Sequence, residues 1–195
     1  MVREHSGEKP RCWWAEGGDP LYTAYHDEEW GVPLHDDRKL FEMLLLEGFQ
    51  AGLSWITILR KRENFRKAFR EFDPEVVVRF KKRDLDRLMQ DAGIVRNRLK
   101  IEGSVLNARA FLAAREEFGS FDKFIWQFTA GKTLRKPGGL TREQIVAKTP
   151  ESDRMSKELA RRGFKFVGST ICYAYMQGVG MVDDHVKGCW KYKAR

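Results

Sequence analysis

Two pairs of metal-ligating residues stand near opposite ends of the sequence: Cys12 with His26, and His185 with Cys189. His185 and Cys189 are four positions apart, so on a helical turn their side chains share one face. A thiolate and an imidazole make half of a tetrahedral zinc site, and Cys12 and His26 offer the other half. Four protein ligands would make such a zinc structural, because a catalytic zinc keeps one position for water. Cys172, by contrast, falls in an apolar helical stripe and reads as a small buried hydrophobe. Glu47 is a second candidate. It follows Met43 by four positions and Leu44 by three, which sets a carboxylate at the edge of an apolar stripe. There it must find a partner or accept a raised pKa. The third candidate is the turn Gly163-Phe164-Lys165-Phe166-Val167-Gly168, followed by Ser169 and Thr170, both able to cap a helix. Its backbone N–H groups and the helix N-terminus after Gly168 suit a phosphate, with Lys165 adding charge. Such a turn grips a DNA backbone without reading its sequence.

These groups need a scaffold. At 195 residues the chain is sized for one domain with its own core. Met1 to Pro10 reads as a disordered leader, and residues 11–195 as a single all-α domain. Within the leader, His5 to Pro10 is similar to the linker between tandem zinc fingers, yet no finger-spaced ligand pairs flank it. No apolar run is long enough to span a membrane, and the polar start does not fit a signal peptide. Three widely spaced cysteines form no disulfide framework, which points to a reducing cytoplasm. A net charge of +8 favours a polyanionic partner.

Asp19 caps a helix that starts at Pro20, carries Tyr22, Tyr25, His26 and Trp30, and ends at Gly31. The spacing of Tyr22, Tyr25 and His26 crowds them onto one side. Asp36 or Asp37 caps the next helix, whose stripe is Leu40, Phe41, Leu44, Leu45 and Gly48. Gln50-Ala51-Gly52-Leu53 breaks it, and Ser54 caps a third helix running from Trp55 toward Asp73-Pro74. Helices continue to Phe118, with turns at Lys82-Arg83 and Ala92-Gly93. Arg96, Arg98, Lys100 and Arg109 give that part a basic face. Gly131 to Gly139 is loop. Met155 to Arg162 and Ile171 to Met176 complete a helix, tight hairpin, helix unit.

Several runs together carry a resemblance. They are Asp19-Pro20-Leu21-Tyr22 through Tyr25-His26-Asp27, Glu29-Trp30-Gly31-Val32-Pro33, and Lys39 to Met43. Leu46-Glu47-Gly48, Gln50 to Thr57, and Arg162 to Gly168 follow, then Thr170-Ile171-Cys172-Tyr173 and Asp184-His185. In this order they resemble the 3-methyladenine DNA glycosylase I family of the helix-hairpin-helix superfamily, from Arg11 to about Trp190. The resemblance implies a monofunctional enzyme that hydrolyses the N-glycosidic bond of 3-methyladenine in double-stranded DNA, acting as a monomer. It places a structural zinc on Cys12, His26, His185 and Cys189, and base stacking on Trp14, Tyr22, Tyr25 and Trp55. Glu47 would hydrogen-bond the adenine edge. DNA contacts would fall on Gly52 and Leu53, and on Gly163, Lys165, Gly168, Ser169 and Thr170. A base methylated at N3 is cationic, so electron-rich rings and a carboxylate attract it. Many superfamily members carry a catalytic aspartate beyond the hairpin, where this branch usually has asparagine. Here that position holds Asp183, which is therefore a candidate for the chemistry as well as a partner for His185.

Two other readings use the same residues. A non-catalytic, zinc-stabilised DNA-binding module explains the charge and the hairpin but leaves Glu47 and the aromatics idle. A zinc hydrolase would need an open metal position that four protein ligands do not leave.

Overall fold

Asp36 accepts a hydrogen bond from the Lys39 amide at 2.9 Å and so starts helix α2, Asp37–Gln50. Burial of α2 goes beyond the single expected stripe, because every residue from Leu40 to Phe49 is buried. A helix buried all round has neighbours on every side. Those neighbours are α3 (Trp55–Ala68), α6 (Arg98–Phe118), α7 (Phe121–Trp126) and α9 (Ser169–Gly178). The other helices are α1 (Pro20–Ala24), α4 (Pro74–Val77), α5 (Lys82–Gln90) and α8 (Pro150–Arg161). The computed structural model describes residues 9–136 and 138–192, which are all-helical with no strand among them. Most of the expected leader, and of the finger-linker-like run within it, lies outside the described residues. Among the described residues no helix is long and apolar enough to cross a membrane.

Two glutamates on α2 face inward. Glu42 meets Arg62 and Arg66 of α3 at 2.6 and 2.8 Å, so its charge is neutralised where it is buried. Glu47 has no such partner.

The expected first helix is interrupted. After Ala24 the chain widens into a π turn, Tyr25–Glu29, a form often found at functional sites. The third helix stops at Ala68 rather than near Asp73. Arg70, Glu71 and Phe72 take left-handed φ angles of 55, 56 and 51°, and the Arg38 guanidinium binds the Arg70 and Glu71 carbonyls. Lys82-Arg83 is not a turn but the start of α5, because Asp84 accepts from the Lys81 amide and caps it. Lys100 is buried, so it leaves the basic face to the exposed Arg96, Arg98 and Arg109.

Helices α8 and α9 pack on each other through the turn 162–168. Gly163 has φ +92°, which only glycine adopts without strain. Asn107 of α6 clamps the turn from below: it accepts from the Lys165 amide at 2.6 Å and donates to the Lys165 carbonyl at 3.1 Å. Phe166 fits over two glycines, since a Cβ on Gly48 or Gly103 would come within 3.3 or 3.0 Å of it. The hairpin is thus fixed to α2 and α6 before any ligand arrives.

Beyond α9 the chain runs as an irregular arm with isolated bridges Leu134 to Val182 and Leu140 to Val186. His185 and Cys189 therefore do not share a helical face as expected. The arm returns to the start of the described chain, where the Trp190 amide donates to the Pro10 carbonyl at 2.8 Å.

Candidate active site

The C-terminus of α2, the first turn of α3, the π turn and α9 enclose a cavity of about 230 Å³. That is below the size of drug-like pockets and suits one small heteroaromatic ring system. Its walls are aromatic: Trp13, Trp14, Tyr22, Tyr25, Trp30 and Trp55 line it. Tyr25 and Trp55 have ring centroids 5.4 Å apart, and Trp14 lies 5.5 Å from Tyr22 and 5.1 Å from Trp30. The π turn presents Tyr25 and His26 in succession, the first to this cavity and the second to the cysteines.

Glu47 enters this apolar cage from α2. It is 3% exposed, and its Oε2 is buried without any hydrogen-bond partner. Burial alone pushes its pKa up to about 8. The Tyr25 phenol is raised well above its usual range, first by burial and then by the Glu47 charge. An unpaired buried carboxyl among electron-rich rings is unstable unless a ligand completes it. A cationic ring with an N–H edge is such a ligand.

A second cavity of about 210 Å³ adjoins the first, with Glu47, Gln50 and Ala174 lining both. Gly52, Leu53 and Thr170 line it too, so the loop after α2 and the start of α9 face one groove. Leu53 is 44% exposed at its rim. The Lys100 ammonium, lacking any carboxylate, donates to the Phe49 and Ala51 carbonyls at 2.9 and 2.6 Å and holds the end of α2 above this groove. Lys165 and Gly168 are exposed on the hairpin, and Gly168 is the N-cap of α9. Gly163 also lies on that hairpin. Ser169 is the first residue of α9, one position past the N-cap Gly168.

Cys12, His26 and Cys189 come together where Trp14 and Trp30 pack against the His26 ring, all buried, their ligand atoms within 4.8 Å of one another. Cys189 Sγ lies 3.4 Å from His26 Nε2. His26 Nδ1 is 2.7 Å from Asp27 Oδ1, which leaves Nε2 for the thiols. His185 is not within that three-residue group, but its ring centroid is 5.0 Å from that of His26. Its Nδ1 is 2.6 Å from Asp183 Oδ1, while its Nε2 is buried and has no partner. Burial pushes the Cys12 thiol up to about 12. Two buried thiols, an imidazole oriented by a carboxylate and a second imidazole with an orphaned nitrogen make a donor set that fits a tetrahedral metal ion.

Asp183 does not line the aromatic cavity. Its second oxygen accepts from Arg135 Nε at 2.7 Å. Burial opposes its ionisation, yet hydrogen bonds from His185 and Arg135 outweigh that and hold it down to about 2. Sequence reasoning did not place Trp13, Trp30, Gln50, Ile145, Ala174 or Gln177 in the cavity. Trp13 and Trp30 carried a signal, as tryptophans beside Trp14 and on the same helix as Tyr25. Ile145 sits in an irregular segment whose path no periodicity predicts.

Comparison with known proteins agrees with this geometry. Residues 13–192 match the family model for methyladenine glycosylase, and the chain belongs to that family. It is 52% identical to DNA-3-methyladenine glycosylase 1 of Escherichia coli (strain K12), over 93% of this chain and 96% of that protein. A crystal structure of 3-methyladenine DNA glycosylase I superposes with a TM-score of 0.90 at 50% identity, covering 94% of this chain and 100% of the other. A variant of 3-methyladenine DNA glycosylase I in complex with 3-methyladenine gives a TM-score of 0.87 at 37% identity, covering 92% and 96%.

Proposed function

We propose that this protein is a DNA repair glycosylase that hydrolyses the N-glycosidic bond of 3-methyladenine in alkylated double-stranded DNA. The observation that carries this is Glu47, a buried carboxyl without a partner inside an aromatic cage. Membership of the methyladenine glycosylase family supports the same reading. The protein acts in the cytoplasm as a monomer, with residues 11–195 forming one glycosylase domain.

The base leaves the duplex at a cost of a few kcal/mol, and stacking on Trp14, Tyr22, Tyr25 and Trp55 offsets that cost. Ionised Glu47 accepts from the N–H edge of the adenine and attracts its positive charge. Gly52 and Leu53 press into the DNA from the loop after α2. Helices α8 and α9 act as a helix-hairpin-helix, with Gly163, Lys165, Gly168, Ser169 and Thr170 on the phosphate backbone. The bond from C1′ to the base breaks, and its electron pair neutralises the cationic ring, which departs as the free base. Water adds at C1′ and gives its proton to solvent, leaving an abasic site. Asp183 orients His185 and does not touch the reacting atoms. Cys12, His26, His185 and Cys189 hold a zinc whose contribution is structural.

Incubation with alkylated duplex DNA should release 3-methyladenine and leave abasic sites. DNA that stays intact, with folded protein in excess, would refute the assignment. Lys165→Ala should weaken binding to every duplex by a similar factor. It should also flatten the dependence of log affinity on log salt by about 0.9, the value for one lost phosphate contact. Altered base preference at an unchanged salt slope would place Lys165 elsewhere in the mechanism.

A further inference from the structure

Gln177 lies on α9 three positions after Ala174, so one helix face brings both to the aromatic cavity. Its backbone is anchored, because its carbonyl accepts from the Gly31 amide at 2.9 Å. The side-chain amide is anchored as well. Gln177 Nε2 donates to Asp184 Oδ2 at 2.7 Å, and the same oxygen accepts from the Tyr173 hydroxyl at 2.5 Å. Asp184 is 4% exposed and forms no ion pair with any described cation, so two neutral donors hold this buried carboxylate. A carboxylate accepts and does not donate. Turning the amide over would set its carbonyl oxygen against Asp184, so the orientation is locked. The remaining polar atom, Gln177 Oε1, has no protein partner and is not sealed from solvent. Toward the cavity Gln177 therefore offers an acceptor.

We infer that Gln177 is a specificity-determining residue of this pocket, held by Asp184 so that its carbonyl oxygen selects purines with an exocyclic amino group over those with a ring oxo group. The inference rests on the cavity being the base pocket. 3-Methyladenine presents amino hydrogens at C6, whereas 3-methylguanine presents an oxygen there. With Glu47 and Gln177 both accepting, an amino group finds two partners and an oxo group faces two oxygens. A site built from hydrogen-bond acceptors rejects the wrong group by leaving its own atoms unpaired. Asp184 acts at one remove, as a positioning residue.

The discriminating measurement is the ratio of kcat/KM for 3-methyladenine to that for 3-methylguanine, released from one methylated duplex. A ratio is insensitive to partial loss of folded protein. Gln177→Leu should lower it by about tenfold. Asp184→Asn should lower it similarly, because an asparagine amide can donate to Gln177 Oε1 and let the glutamine turn its N–H groups inward. Unchanged ratios in both variants, with lower absolute rates, would overturn the inference and leave Gln177 structural. If neither variant folds, the parent protein decides. It should bind free 3-methyladenine at least about tenfold more tightly than 3-methylhypoxanthine, which carries oxygen at C6. Equal affinities would overturn the inference. A parent that releases no base and binds neither compound would instead refute the base-pocket reading.

Discussion

Glu47→Gln is expected to lower kcat/KM for 3-methyladenine excision by roughly 10- to 150-fold, the equivalent of the roughly 1.5–3 kcal/mol carried by a hydrogen bond to a charged group. Glutamine keeps the shape but neither the charge nor the full accepting capacity. Two further readouts separate this from simple damage. In the parent only ionised Glu47 attracts a cationic base, and its pKa in the free protein is about 8. The parent kcat/KM should therefore rise about tenfold per pH unit over the one to two units below pH 8 and level off above it. The glutamine variant should lack that dependence. Stability should move the other way. An acid whose folded pKa is raised is at its most favourable below its unfolded pKa, and that contribution is lost as pH rises through the folded value. Glu47→Gln should thus unfold on the order of 10 °C higher than the parent at pH 9, with little difference near pH 4.5. A variant as active as the parent, with the same pH profile, would make Glu47 a structural residue. Asp183→Asn, with both oxygens engaged away from the cavity, should leave the single-turnover rate nearly unchanged. A large loss there would return the chemistry to Asp183.

Removal of the proposed zinc should have the largest effect on the folded chain. Structural zinc contributes on the order of 10 kcal/mol, comparable with the whole stability of a domain. Protein purified without chelators should contain one zinc per chain by elemental analysis. Cys189→Ala, or exhaustive chelation, should abolish cooperative thermal unfolding near the parent temperature. His185→Ala tests the fourth ligand separately, because His185 Nε2 is the buried nitrogen left without a partner. Metal-free protein with an unchanged melting temperature would remove zinc from the account. The expected order of loss is also informative. Fold should fail before base preference changes, since none of Cys12, His26 and Cys189 lines the aromatic cavity.

Local signals were read with mixed success: Ser54, read as a cap, makes no side-chain cap hydrogen bond, whereas the aspartates do. Asp19 and Asp36 cap the helices their positions announce, each accepting from a backbone amide two or three residues on. Cys172 is buried as its stripe suggested. Signals that depend on distant neighbours were read less fully. Glu47 looked like the margin of a stripe because periodicity sees one helix, whereas α3, α6, α7 and α9 together close over α2. Lys100 counted as a surface charge until the carbonyl ends of α2 were placed beside it. The spacing of His185 and Cys189 suggested a helical turn, but an arm bridged to Leu134 and Leu140 brings Cys189 to Cys12 and His26 by a different path. Gln177 carried no signal, because its meaning lies in the orientation Asp184 imposes.

The Trp190 amide on the Pro10 carbonyl, and Asp27 holding both Arg11 and the Trp190 indole, join segments that lie far apart in the sequence. Residues 12 and 26 leave the ribosome long before 185 and 189, so the earliest part of the pocket wall waits for the latest. Trp13 and Trp14 belong to that early segment, and Gln177 to the late one. No shortened product that stops before α9 can assemble the cavity. A complete base pocket therefore forms only once both of these segments have been made.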